Sequence, residues 1–100
     1  MIESRLSEEL DPHVVREIEA ELHTELAKVE GQMEALMHEH QRALVLKKIY
    51  EGDPLTRERF NLLSAGIDQY AGRMAGLREE ERLLNGWLAR CRGLLEDRAA

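Results

Sequence analysis

Along the second half of the chain, Phe60, Leu63, Ile67, Tyr70, Met74, Leu77, Glu81, Leu84, Leu88, Cys91 and Leu95 fall alternately three and four residues apart, and ten of these eleven positions are apolar. A period near 3.5 predicts a long helix packed lengthwise on another helix. In the first half, Val15, Ile18, Leu22, Leu26, Val29, Met33, Leu36, His40 and Leu44 make one stripe at helical spacing, which predicts a second amphipathic helix. The fold class expected is all-α, an antiparallel hairpin of two long coiled-coil-like helices that completes a helical bundle by oligomerising.

Local signals set the boundaries. Asp-Pro occurs at Asp11-Pro12 and again at Asp53-Pro54, each time just before an amphipathic run. Aspartate accepts hydrogen bonds from the open amides of a first helical turn, and proline suits the first helical position because its missing N–H would have had no partner there. Thr56 reads as an additional helix-start residue. Glu51-Gly52-Asp53 breaks the pattern, glycine being the usual residue just past a helix end. The helices are therefore expected at about 12–50 and 54–97, with a turn at 51–53 and one domain over 12–98. Residues 2–10 suggest a short amphipathic turn through Ile2, Leu6 and Leu10. Each long helix would reach about 60 Å, and so short a connection forces an antiparallel arrangement. A fold-back centred at Gly52 would pair residues whose numbers sum to about 104, given equal rise in both helices. Leu36 is then expected near Ile67, and Leu22 near Glu81.

Composition narrows the class. Of 100 residues, 34% are charged and 4% aromatic, a balance that suits an exposed helical protein and argues against a sandwich or barrel. The net charge of −6 is unevenly placed: residues 1–40 carry −8, residues 41–59 carry +2, and residues 60–100 are neutral. The first helix should therefore repel a copy of itself and prefer a neutral or basic neighbour, which the second helix supplies. No apolar run has the length of a membrane span, and the acidic start lacks the blocks of a signal peptide, so a cytoplasmic location is expected. Cys91 is the single cysteine, and its seam position suits a small buried thiol.

Two helices alone make a marginal fold, so further burial is expected between copies of the chain. Leu62, Leu83, Trp87 and Leu94 lie outside the seam and widen the apolar surface. Gly72, Gly76 and Gly86 join Gly66 and Gly93 in one helix, where each glycine costs about 0.8–1 kcal/mol relative to alanine. Close approach of another helix would offset that cost. Leu62, Gly72, Gly76, Leu83, Gly86, Trp87 and Leu94 are thus the expected partner or oligomer interface. The hairpin tip gathers Arg42, Lys47, Lys48, Tyr50, Arg57 and Arg59 with Phe60. Basic and aromatic side chains together suit phosphate contact and base stacking, an acidic protein partner, or favourable charge at a helix C-terminus.

Candidate chemistry is sparse. Glu19/His23 and Glu34/His38 each share a helix face, but the spacings of di-iron bundles, zinc fingers and metalloproteases are missing, so no metal or other cofactor is expected. Glu81 is the one charge in the second helix's seam and needs a partner or water, with His23 the candidate in the expected register. A polar seam residue of this kind fixes register or copy number. His40 lies on the first helix's stripe, where an imidazole can also sense pH. Ser4, Ser7, Ser64, Thr24 and Thr56 lack a base with an orienting carboxylate, so no catalytic residue and no enzymatic activity is expected.

The expected function is that of a non-enzymatic interaction protein, a small acidic adaptor, assembly factor or chaperone covering a partner's amphipathic helix, itself a homodimer or higher oligomer. In size, acidity and expected architecture the chain resembles the small helical-hairpin chaperones of bacterial secretion systems. The rival classes are an oligomeric nucleic-acid-handling module, of the phage DNA-packaging type, using the basic tip, and a coiled-coil factor that inserts its Glu51/Asp53 tip into a larger machine.

Overall fold

The computed structural model describes residues 10–52 and 57–99. It consists of two helices, α1 (Pro12–Tyr50) and α2 (Arg57–Ala99), which form an antiparallel hairpin. No strand occurs among the described residues.

The start of α1 follows from Asp11. The His13 N–H donates to Asp11 Oδ1 at 2.8 Å, and the Asp11 carbonyl accepts from Val14 N–H and Val15 N–H, each at 3.1 Å. Side chain and main chain of one residue thereby begin the helix, while Pro12 takes the first helical position without losing a useful donor. At the other end Gly52 has a φ of +84°, a left-handed conformation that a Cβ would strain. Lys47 and Lys48 occupy the last turn of α1, where the helix dipole favours positive charge. The expected start of α2 at Asp53-Pro54 and Thr56 lies outside the described residues, as does the short turn expected within 2–10.

All eleven seam positions expected in α2 are buried or half-buried. On α1 the structure corrects the expected stripe: Ile18 is 45% exposed and Leu44 36% exposed, while Glu19 and Ala43 are half-buried in their place. The inward-facing line of α1 runs Val15, Glu19, Leu22, Leu26, Val29, Met33, Leu36, His40, Ala43, Lys47 and Tyr50. It alternates four and three residues without a slip. A lone helix allows an apolar stripe to drift with the 3.6-residue turn, but contact with a second helix along a seam holds both to 3.5. Geometry therefore admits a glutamate and an alanine ahead of the two larger hydrophobes beside them in sequence.

The register also differs from a fold-back at Gly52. Facing residues have numbers summing to 107 at Lys47 and Phe60 and to 110 at His40 and Tyr70. Leu36 and Ile67 line one groove, as expected, and Leu22 lines another with Glu80, Leu84 and Trp87. His23 is exposed on the flank of α1 and Glu81 is half-buried, and among the described residues no hydrogen bond or ion pair joins them.

The hairpin packs as two units, each using both helices: Met1–Val29 with Glu80–Ala100, and Glu30–Glu79. The first, the open-end unit, buries Val15, Val29, Leu84, Leu88 and Cys91; the second, the turn unit, buries Leu36 and Met74. No described side chain is enclosed on every side. That follows from the architecture, since each helix has a single partner and one face covered.

Candidate interaction face

In the open-end unit the large exposed hydrophobes of the two helices fall on one flank of the seam. Trp87 and Leu83 on α2 line a shallow groove of about 330 Å³ with Leu22, Glu25, Val29, Glu80 and Leu84. Leu94 stands two turns beyond Trp87 at a seven-residue interval, and Ile18 stands at the same interval before Glu25, with Val14 one turn further back. Seven residues return a helix to nearly the same face, so Val14, Ile18, Leu83, Trp87 and Leu94 border one surface. Each is between 38% and 47% exposed. The other flank of the same unit presents Arg16, His23, Asn85 and Arg92, all exposed. This unit is therefore amphipathic in cross-section beyond its own seam.

Trp87 is the chain's only tryptophan and is 43% exposed. Leaving so large an apolar ring half in water costs free energy that a docking partner would recover. The polar members of the groove are two carboxylates, Glu25 and Glu80. Glu25 Oε1 lies 3.6 Å from Lys28 Nζ, with both side chains more than half exposed, an ion pair that contributes little to stability.

The expected interface residues do not all come together. Leu83, Trp87 and Leu94 do. Gly86, one residue from Trp87, is exposed on the side of α2 away from the seam. Leu62, Gly72 and Gly76 belong to the turn unit. Leu62 is 74% exposed and borders a smaller groove, about 160 Å³, with Gly66, Tyr70 and His40. No heavy atom of another part of the chain lies within 4 Å of the Cβ position at Gly66, Gly72, Gly76, Gly86 or Gly93, so close packing within the hairpin does not account for these glycines. Val14 and Ile18 were missed as face residues. Carrying the 3.5-residue period of α2 onto α1 would have moved Ile18 off the seam and revealed it.

At the tip, two of the basic side chains have partners in the chain. Lys47 Nζ sits 5.3 Å from the centre of the Phe60 ring, a cation–π contact, and Lys48 Nζ lies 3.6 Å from Glu51 Oε2. Arg42, Arg57 and Arg59 are exposed, whereas Tyr50 is half-buried as the last inward residue of α1. Within the turn unit the His40 and Tyr70 rings stack 3.8 Å apart at 9°. His40 Nδ1 is buried there with no hydrogen-bond partner. Thr24, weighed above as a nucleophile, donates its hydroxyl to the Ala20 carbonyl at 3.1 Å, a local helix contact.

Among the described residues no three His, Cys, Asp or Glu side chains converge as metal ligands, and no helix is long and apolar enough to cross a membrane. No protein-family model matches the chain, and none of the curated proteins or solved structures compared is significantly similar to it.

Proposed function

We propose that this protein is a non-enzymatic interaction module, a small cytoplasmic assembly factor or chaperone, that takes an amphipathic helix against the Trp87 face. The observation that carries this reading is the one-sided placement of Val14, Ile18, Leu83, Trp87 and Leu94 beside a groove whose polar members are Glu25 and Glu80. A helix laid along such a surface inserts apolar side chains spaced i, i+4 and i+7 and keeps its polar face in solvent. Tryptophan at the centre of a surface with a polar rim is the usual form of an energetic anchor. The two carboxylates favour a visitor with basic residues flanking its apolar stripe.

Trp87 supplies the readout. Titrating the protein at submicromolar concentration with a leucine- and lysine-patterned amphipathic peptide should shift tryptophan emission to the blue and saturate, while a scrambled peptide of the same composition should not. Leu83→Asp should weaken binding by about tenfold or more, because it places a charge in the desolvated centre of the contact. Circular dichroism should be nearly unchanged, Leu83 being an exposed helical residue. An emission spectrum that ignores the patterned peptide, or answers both peptides alike, overturns the reading.

A further inference from the structure

The flank of α2 that carries Trp87 reads, at alternating intervals of three and four residues, Glu80, Leu83, Trp87 and Arg90. Reversed, it becomes its own complement. If two such helices run antiparallel with residue numbers summing to 170, Leu83 of one lies opposite Trp87 of the other, and Glu80 lies opposite Arg90. A two-fold axis repeats each pairing, so every position in the stripe meets one that suits it in size or charge. This is the signature of an isologous interface, in which one patch must be complementary to itself.

We infer that the helix occupying the Trp87 face is α2 of a second copy of this chain, antiparallel about a dyad near residue 85. The inference rests on the helix-docking reading above and names its occupant. Charge separates this occupant from others. Glu80 and Arg90 stand ten residues apart on one helix, about 15 Å, and cannot pair with each other. Neither is in an ion pair among the described residues. Two copies of α1 brought together would oppose a strongly acidic surface to itself, since residues 1–40 carry −8, whereas residues 60–100 are neutral. Antiparallel α2 helices also oppose their dipoles favourably. The stripe alternates four and three residues as a coiled-coil seam does, and in antiparallel seams the two kinds of position face each other, as they do in all these pairs.

Charge exchange tests it. By sedimentation equilibrium the protein should have twice the chain mass at micromolar concentrations. Glu80→Arg alone sets arginine against arginine and Arg90→Glu alone sets glutamate against glutamate, and each should weaken the dimer by about tenfold or more. The double variant Glu80→Arg/Arg90→Glu should restore it. So should mixing the two single variants, because each heterodimer then pairs arginine on one copy with glutamate on the other. Both residues are exposed, so helicity should be unaffected in every variant. A monomeric mass, or a dimer indifferent to the single exchanges, overturns the inference; if the patterned peptide still shifts Trp87 emission in that case, helix docking stands and only the occupant is wrong. Absence of both the dimer and the peptide response overturns the two together.

Discussion

His40 shows how a single seam residue can work against the fold that holds it. Its ring stacks on Tyr70, a favourable contact, yet Nδ1 is buried with no hydrogen-bond partner. An unsatisfied buried polar atom costs about 1–3 kcal/mol. His40→Phe keeps a flat ring on Tyr70 and removes the orphan nitrogen, so it should raise unfolding free energy by about 1 kcal/mol. Urea denaturation measures this through a higher midpoint at unchanged slope. A lower midpoint would mean that the nitrogen does have a partner in solution. At this scale the sequence was informative where a residue's role depends on neighbours in the chain: Asp11, Pro12 and Gly52 do what their types and positions indicated. It was uninformative about Glu81 and His23, whose pairing depended on a register that no local signal contains.

Between elements, the period of the contact decides which residues turn inward. The α2 pattern was already at 3.5, so its seam was readable residue by residue. The α1 stripe was read at the pitch of a free helix, and Ile18 and Leu44 were placed inward where Glu19 and Ala43 belong. The partner helix imposes the correction, and composition alone disfavours it. The glycines of α2 bear on the same question. Gly72 and Gly86 lie seven-residue intervals apart on the side away from the seam, have negative φ, and have open space at their Cβ positions. Gly72→Ala and Gly86→Ala should then each stabilise α2 by about 0.4–1 kcal/mol, by restricting the unfolded chain. Thermal unfolding should register each as a rise of a few degrees, since about 1 kcal/mol moves the midpoint of a chain this size by 4–8 °C. A fall instead would show that another helix sits closely on that row.

For the whole molecule, the main consequence of two helices is a thin interior. Seven described hydrophobic side chains are buried, and eleven large ones remain substantially exposed. A chain with that balance is suited to association, and the flank around Trp87 is where exposure is organised instead of scattered. On the proposed reading the basic tip is not the working surface: Lys47 is drawn onto Phe60, and the chain as a whole carries a net charge of −6. The native protein should give no retardation of DNA even at low salt, where phosphate contacts are strongest. A salt-sensitive shift abolished by exchanging Arg57 and Arg59 for glutamate would instead favour the tip as the working surface. The hairpin itself was visible from pattern and breakers alone. The amphipathic flank was only half visible, since α2 supplied its tryptophan and leucines while α1's share was hidden by the wrong pitch.

Cys91, a free thiol only 8% exposed on the seam of α2, turns the open end into its own stopwatch. A disulfide reagent can reach the sulfur only while the helices there are parted, so at high reagent concentration the labelling rate equals the rate of parting. Labelling should be far slower than for an unfolded control. It should slow further as protein concentration rises if a second copy clasps that end, a change no spectroscopic probe is needed to see.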